Sequence, residues 1–339
     1  MENKHAMDDF LRSWNIGNIT AIEPIDSYWG KTSLVKTVDG HCFILKEKPN
    51  LLQMEQESNL LSSLSEVGAP IAVPVRTVDA MWYALNEGKI FCLYPKLPGE
   101  IIAEHYAGNA AARAEAFGKA IGFLHTCFLK CDGLTGYKDM QLIEQIREWA
   151  IPCIKEHKTI IDGDSIEKIW REVEQEMGPL YAELPKQLIH RDLHPANMLF
   201  DTGKLTGFVD FEMVVRGPRV FDVCYCGTSL LVSGFPDTKK MQSWPALFHS
   251  LLKGYQEVCP LTSSELSALY GTLAAIELLF AAFSLETQAE GAARCNISVL
   301  NWLSMNRGLI ISLKGRKKKA AYRLTSTSRG KMKVSEKGV

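Results

Sequence analysis

The most informative part of the sequence is Leu188-Ile-His-Arg-Asp-Leu-His-Pro-Ala-Asn-Met-Leu-Phe200, which is closely followed by Gly207-Phe-Val-Asp-Phe-Glu212. Apolar runs flank polar residues in both segments, which indicates loops between short strands. Asp192 and Asn197 stand five residues apart in the first loop, and Asp210 ends the second apolar run. The pattern therefore predicts two carboxylates and one amide presented by adjoining loops.

These residue types meet the needs of phosphoryl transfer. Mg²⁺ prefers hard oxygen ligands and keeps several waters, so one carboxylate and one amide oxygen suffice from the protein. Asn197 and Asp210 are predicted to be these metal ligands, and Asp192 is predicted to orient the attacking hydroxyl and to take its proton. A structural loop with capping Asp and Asn residues is the competing interpretation. For His190, we favour a buried histidine that hydrogen-bonds the loop backbone over a catalytic base.

A kinase also needs a cation on the phosphates of its nucleotide. Lys46 lies on an apolar predicted strand, where a lysine is costly unless it has a partner. Glu57, early in the next predicted helix, is preferred as that partner over Glu55 because of its spacing to the apolar residues of the helix. The competing interpretation is that Lys46 extends to solvent from the strand end.

The turn at residues 26–33 is predicted to cover the nucleotide phosphates. It contains Gly30 but no G-x-G-x-x-G pattern, so an ordinary turn is the competing interpretation. The chain has no Walker A sequence, which disfavours a P-loop nucleotidase.

The order of predicted elements changes along the chain. Alternating segments flank Asp39-Gly40 and Glu87-Gly88, which predicts two hairpins, and a helix over 52–67 separates them. Helical patterns then dominate, over residues 103–128, 140–155, 165–181, 239–257, 264–288 and 291–312. The sequence therefore predicts a small sheet with one helix, followed by a mostly helical part.

Charge is balanced over the 339 residues, with 38 Lys and Arg against 39 Asp and Glu, but it is unevenly distributed. Residues 314–339 hold ten basic residues and one acidic residue, so an acidic body carries a basic tail. We expect this tail to be disordered. A solvated extension, an arm that binds a polyanion or a surface, and a regulatory segment are its open interpretations.

Cysteine usage and hydropathy indicate the compartment. Nine cysteines without a CxxC pair suggest reduced thiols, and we expect a cytoplasmic protein. The N-terminus has no apolar core of a signal peptide. The longest apolar stretch, 272–285, is shorter than a membrane span requires, so no span is expected.

The chain resembles the aminoglycoside phosphotransferase and choline-kinase-like family, the small-molecule branch of the protein-kinase-like fold, over residues 10–312. The matching residues are His190–Asn197, Asp210-Phe211-Glu212 and Lys46, supported by Gly118-x-x-x-Gly122-x-Leu124-His125 and Leu97-Pro98-Gly99. The resemblance implies an α+β, bilobal fold, with a small N-terminal antiparallel sheet lobe containing one helix and a larger, mostly helical C-terminal lobe. The corresponding division is 1–97, 98–313 and the tail 314–339.

The same resemblance implies the cofactors and their residues. ATP would bind in a cleft between the lobes, with Lys46 on its phosphates and a backbone hinge near Pro95 and Leu97 reading adenine. Asp192 would be the catalytic base, with Asn197 and Asp210 as Mg²⁺ ligands.

Two segments place the chain in the small-molecule branch. Phe211-Glu212 follows Asp210 where protein kinases have Phe-Gly, and no Ala-Pro-Glu motif follows. The segment 216–222 resembles the family's Gly-Pro-x-x-x-Asp motif. Its Asp222 is expected to cap a helix and brace the catalytic loop rather than to contact the substrate.

The acceptor is expected to be a hydroxyl group of a small molecule. Glu212, Glu277 and Glu286 are the candidate residues for binding a cationic amine, and a solvated helix face or a structural ion pair is the competing interpretation for each. The acidic body favours an amino-bearing substrate. Homoserine, amino sugars, aminoglycosides, choline-like alcohols and thio-sugars all remain open. Specific binding of nucleic acid is not expected, and the sequence does not indicate an oligomeric state.

Two alternatives compete with a small-molecule kinase. A protein Ser/Thr kinase is disfavoured because the Asp-Phe-Gly and Ala-Pro-Glu motifs are missing. A kinase-like structural protein of the spore-coat type is disfavoured because every predicted metal ligand and the predicted base are present. The leading hypothesis is therefore an ATP- and Mg²⁺-dependent phosphotransferase that acts on a hydroxyl.

Overall fold

The computed structural model describes residues 9–25, 30–131 and 133–312, so the basic tail 314–339 lies outside the described residues. The chain divides into two compact units. Unit 1 comprises the residues up to 140 together with 186–229 and 250–260, and unit 2 comprises 141–185, 230–249 and the residues from 261 onward. This division differs from the predicted boundary at residues 97 and 98, because the catalytic-loop segment joins the N-terminal elements in unit 1. The lobe boundary itself stays a prediction.

Unit 1 begins with an antiparallel sheet of five strands, in the order β1-β2-β3-β5-β4. The strands are β1 (Ile19–Ile25), β2 (Thr32–Thr37), β3 (Cys42–Lys48), β4 (Ala84–Asn86) and β5 (Lys89–Pro95). Both predicted hairpins are present, with Gly40 and Gly88 at positive φ in their turns. One face of the sheet is apolar, where Val35, Leu45 and Leu93 are buried in a core cluster with Leu11 and Trp14.

One helix, α1 (Leu51–Glu66), follows β3 within unit 1. The Asn50 side chain accepts a hydrogen bond from Gln53 N and so caps the first turn. The helix ends before Gly68, whose φ of +87° is readily accessible only without a side chain. The predicted sheet with one helix is therefore present.

Two small sheets carry the catalytic segment. One contains β6 (Glu100–Ile101), β8 (Met198–Asp201) and β9 (Lys204–Phe208), and the other pairs β7 (Lys186–Ile189) with β10 (Val215–Pro218). Short antiparallel strands thus flank the loop that contains Asp192, and β9 leads directly to Asp210.

The next helix, α2 (Ala110–Lys130), starts seven residues later than the pattern predicts. Its start is set by the side chain of Asn109, which accepts from Ala112 N, while Glu104 accepts from the backbone of a preceding turn. Gly118 lies on the face of α2 that contacts residues 250–258, where a Cβ atom would meet the Leu251 carbonyl. The close approach of these two backbones explains that glycine.

Two further helices, α6 (Val220–Gly234) and α7 (Thr238–Val258), contribute residues to both units. The remaining helices lie in unit 2: α3 (Leu142–Gln145), α4 (Ile151–Glu156), α5 (Gly163–Glu183), α8 (Ser263–Glu286), α9 (Glu290–Met305) and α10 (Arg307–Ser312). A π-helical turn, Ile146–Ala150, connects α3 to α4, so the helix predicted over 140–155 is interrupted. The predicted helical ranges do not include α6, although Asp222 was expected to cap a helix.

Helix α8 is the one described helix that is long and apolar enough to cross a membrane by length and composition. Within its most apolar window, 72% is buried inside the protein, which is usual for a core helix. The antiparallel N-terminal sheet and the helical remainder confirm the predicted α+β class.

Candidate active site

The catalytic loop runs between β7 and a short 3₁₀ helix, Pro195–Asn197, and a buried carboxylate holds its start. Asp222, in the first turn of α6, accepts from the backbone N–H groups of His190 and Arg191, both at 2.8 Å. It also accepts from His125 Nε2 at 3.0 Å. Arg191 has a φ of +67°, so these contacts stabilise a backbone conformation that is disfavoured for a residue with a side chain.

His190 is fully buried. Its Nε2 lies 3.0 Å from the Val209 carbonyl oxygen and therefore carries the proton that is donated. The ring packs against Phe211, with 4.7 Å between ring centroids. His190 thus links the catalytic loop to the segment that carries Asp210.

The carboxylate of Asp192 is hydrogen-bonded through both of its oxygens. Oδ1 accepts from the hydroxyl of Tyr225 at 2.7 Å, and Oδ2 accepts from Asn197 Nδ2 at 3.1 Å. The same Nδ2 donates to the Asp192 carbonyl at 2.7 Å. The carboxylate orientation is therefore fixed, while the side chain keeps 30% of its surface exposed for a substrate. Tyr225 is not among the predicted site residues, although it lies on the same helix three residues after Asp222 and so shares its face.

Beside Asp192, the imidazole of His194 lies 3.9 Å from Oδ2. Burial lowers the pKa of His194 below its ordinary value of 6.5, and this outweighs the opposite effect of the Asp192 charge. We therefore expect His194 to be neutral at neutral pH.

Asp210 lies two residues after β9, and its backbone is in the left-handed region with a φ of 70°. Lys46 Nζ donates to its Oδ1 at 2.9 Å. Burial alone would raise the pKa of Asp210, but the ammonium of Lys46 and its hydrogen bond outweigh burial and hold that pKa below 3.8. Asp210 is consequently ionised at neutral pH, as a metal ligand must be.

The predicted ion pair between Lys46 and Glu57 is not the one that the structure forms. Glu57 Oε2 instead accepts from Lys48 Nζ at 2.6 Å, and Lys48 also donates to Glu212 Oε1 at 2.7 Å. Lys46 and Lys48 share one face of β3 because side chains alternate along a strand, and the register brings Lys48 to α1. The alternative partner, Glu55, is exposed. The period of two shows from the sequence that Lys46 and Lys48 share a face, but it does not decide which of them reaches α1.

Lys48 is almost completely buried in this arrangement, with 1% of its side chain exposed. Burial lowers the pKa of Lys48, but the two carboxylates more than offset this and raise it above 10.5. Lys48 is therefore charged, and Glu212 is committed to an ion pair within the protein.

The donor set suits a hard divalent cation. Asn197 uses Nδ2 for both contacts with Asp192, which leaves its carbonyl Oδ1 as the atom that could bind a metal. Asp210 keeps 42% of its side-chain surface exposed. Among the described residues, no cluster of three or more His, Cys, Asp or Glu side chains could hold a metal by itself. A site of one carboxylate and one amide agrees with Mg²⁺, which takes its other ligands from water and phosphate.

The predicted nucleotide contacts outside the loop lie on the N-terminal sheet. Gly30 has a φ of +66°, and a Cβ atom there would lie 3.2 Å from the Glu47 carbonyl, whereas residues 26–29 of the same turn are not described. Pro95 ends β5 beside β3, and Leu97 follows and packs against Gly207 of β9. Leu97, one of the two predicted hinge residues, therefore contacts the hairpin that leads to Asp210.

The two predicted substrate residues of unit 2 differ in environment. Glu277 is buried in α8, where its Oε2 makes no hydrogen bond to any residue that the structure describes, and burial raises its pKa well above 4.5. Glu286, at the end of α8, is exposed and accepts from Trp149 Nε1 at 2.7 Å. Trp149 belongs to the π-helical turn, a feature that is frequent at functional sites.

Comparison with known proteins assigns the family. Residues 21–261 match the phosphotransferase enzyme family. The chain belongs to this family. The resemblance drawn from the catalytic loop is thereby confirmed, and so is the prediction that the chain is a small-molecule kinase.

The individual proteins that resemble this phosphotransferase share only a small part of its sequence. Homoserine kinase of Brucella ovis is 23% identical over 278 residues, which cover 79% of each chain. A microcompartment-associated aminopropanol kinase has a similar structure, with a TM-score of 0.68, 15% identity and coverage of 91% of this chain and 98% of the other. An amicoumacin kinase, solved in complex with AMP-PNP, Ca²⁺ and Ami, gives a TM-score of 0.66 at 16% identity, over 89% of this chain and 94% of the other. These likenesses confirm the predicted protein-kinase-like fold.

Proposed function

We propose that the protein is a cytoplasmic, ATP- and Mg²⁺-dependent phosphotransferase that moves the γ-phosphate of ATP to a hydroxyl group of a small, amino-bearing alcohol. The observation that carries this proposal is the position of three carboxylate and amide groups within unit 1. Asp192 and Asn197 are hydrogen-bonded to each other, and Asp210 is held ionised by Lys46. Family membership supports the same reaction class.

Each residue has a task in this reaction. Asp192 would orient the acceptor hydroxyl and take its proton, and its two hydrogen bonds from Tyr225 and Asn197 fix the direction from which it does so. Lys46 would contact the nucleotide phosphates, because its side chain is 25% exposed. Asn197 Oδ1 and the Asp210 carboxylate would hold Mg²⁺. When bound, the ion neutralises charge on the phosphates and orients them for transfer.

An amino-bearing acceptor is supported by two independent observations. The named relatives include a homoserine kinase and an aminopropanol kinase, whose substrates combine an amine with an alcohol. Of the three predicted acidic residues, Glu212 is paired with lysines, and burial raises the pKa of Glu277 well above 4.5. Glu286 is exposed beside the Trp149 ring, and a carboxylate next to an aromatic ring suits an ammonium group.

The test is an acceptor panel that measures ADP release at fixed Mg²⁺ and ATP. It should include homoserine, aminopropanol, choline, an aminoglycoside and a neutral sugar, with Asp192→Ala and Asp210→Ala as matched inactive controls. We expect an amino alcohol to stimulate ADP release in the natural protein alone. Stimulation by the neutral sugar only would reject the amino-bearing class. Equal turnover by Asp192→Ala would reject the assigned base. Binding of ATP without turnover on any acceptor would favour a kinase-like binding protein.

A further inference from the structure

Lys48 forms two buried ion pairs, and contact with the nucleotide phosphates, the usual role of a kinase lysine, does not explain them. Its Nζ donates to Glu57 of α1 and to Glu212, which stands two residues after Asp210. With 1% of its side chain exposed, Lys48 is not available to a nucleotide phosphate, whereas Lys46 on the same face is. One strand therefore carries two lysines in different environments.

The segment that begins at Asp210 needs such a connection. Asp210 has a left-handed backbone, which persists for a residue with a Cβ only when the surroundings hold it in place. Glu212 is held twice, through its side chain by Lys48 and through its carbonyl oxygen by Gln53 Nε2 at 3.0 Å. We call Lys48, Gln53 and Glu212 the Glu212 clamp.

Stability alone is a weak reason for the clamp. A buried ion pair often contributes no more stability than apolar side chains of the same size, because removing charges from water is costly. An ion pair does, however, fix the orientation of its side chains, because Lys48 Nζ must stay within hydrogen-bond distance of both Glu57 and Glu212 to keep its charge paired. The clamp thus ties the position of α1 to the position of the Asp210 segment.

We propose that Lys48 is a positioning residue for metal binding: it holds the Asp210 carboxylate in place through Glu212. This inference rests on the proposed function, because it takes Asp210 as a ligand of the Mg²⁺ that accompanies ATP. Partners in the outer shell of a metal site commonly affect metal affinity by about 10–100-fold. Lys46 contacts Asp210 directly, and Lys48 acts on the same residue through the backbone of the following turn.

The experiment measures the affinity for Mn²⁺, as a spin-active replacement for Mg²⁺, in the presence of AMP-PNP by the decrease of the free-ion electron paramagnetic resonance signal. Lys48→Met removes the cation, and Lys48→Arg restores a charged donor. Glu212→Ala opens the clamp but leaves the pair between Lys48 and Glu57 intact, so this variant decides the question if Lys48→Met does not fold. Lys89→Met is the matched control, because the exposed Lys89 pairs with Glu47, which lies on the opposite face of β3 from Lys48.

We expect Lys48→Met and Glu212→Ala each to weaken Mn²⁺ binding by about tenfold or more, with Lys48→Arg recovering part of the affinity and Lys89→Met unchanged. The double variant Lys48→Met/Glu212→Ala should bind no more weakly than Lys48→Met alone, because both changes open one clamp. Affinities of Lys48→Met and Glu212→Ala within twofold of Lys89→Met would overturn the positioning role and leave the proposed function intact. Failure of the natural protein to bind Mn²⁺ with AMP-PNP would overturn the proposed function and this role together.

Discussion

Asp222→Ala should destabilise the protein severely, because one buried carboxylate serves three donors. It accepts from the backbone N–H groups of His190 and Arg191 at 2.8 Å and from His125 Nε2 at 3.0 Å. A buried donor that loses its acceptor costs about 1–3 kcal/mol. Two of the three donors are fully buried, so we expect the free energy of unfolding to fall by about 2–6 kcal/mol. That is a large share of the roughly 5–15 kcal/mol that stabilises an ordinary domain.

The measurement is urea denaturation followed by fluorescence and circular dichroism. Asp222→Asn keeps one acceptor oxygen but turns an NH₂ group towards a donor, so its loss should be intermediate, about 2–3 kcal/mol. Asp237→Asn is the matched control, since Asp237 is exposed and caps Lys239 N and Lys240 N. Asn caps a helix as well as Asp does, so this control should change by less than about 0.5 kcal/mol. An Asp222→Ala variant as stable as this control would refute the bracing role.

Three further predictions concern other parts of the chain. Tyr225→Phe removes a hydrogen bond to the Asp192 carboxylate worth about 1.5–3 kcal/mol, so kcat should fall about tenfold or more while the KM for ATP stays constant in steady-state assays; an unchanged kcat would contradict this. Burial raises the pKa of Glu277 well above 4.5, so the folded state retains a proton that the unfolded chain releases. The free energy of unfolding should therefore decrease as the pH rises above about 4.5. Glu277→Gln should flatten that pH dependence in urea titrations, and an unaltered slope would show that another group causes it. Gly118→Ala places a methyl group against a carbonyl of α7 and should lower the unfolding free energy by about 3 kcal/mol, whereas Gly178→Ala, with open space around it in α5, should raise it by about 0.5–1 kcal/mol. Equal stability of these two glycine variants would contradict the close packing of α2.

Much of unit 1 could be predicted because its strongest features are local. The hairpins depend on two-residue turns, α1 depends on a short periodic pattern, and the polar residues of the catalytic loop lie within a few positions of one another. Asp192, Asn197 and Asp210 were singled out from residue type and spacing, and the structure brings the first two into contact.

The partner of Glu57 could not be read in this way. Whether Lys46 or Lys48 reaches α1 depends on the register of β3 against a helix that follows it through a turn, and no short-range pattern encodes that register. The Tyr225 contact depends similarly on the path of α6. Its sequence, Val220–Gly234, is rich in β-branched residues and cysteine, which have low helix propensity, so tertiary packing rather than local preference makes this segment helical.

The burial of Glu277 in helix α8 could not be predicted either. It is apolar nearly all around, so periodicity predicts the helix but not which face is exposed. Periodicity therefore allows Glu277 as a candidate for binding an amine, and only the structure shows that it is buried, with no described partner for Oε2. Glu286, at the end of the same helix, is the candidate with an exposed side chain.

The most direct test of the central claim is phosphorus nuclear magnetic resonance of the protein with ATP, Mg²⁺ and the amino alcohol that stimulates ADP release most strongly. The account predicts that the γ-phosphate signal of ATP decreases while ADP and one new phosphomonoester signal increase together, and that Asp192→Asn abolishes the new signal. Conversion of ATP to ADP and inorganic phosphate alone, or a phosphomonoester formed equally fast by Asp192→Asn, would contradict it.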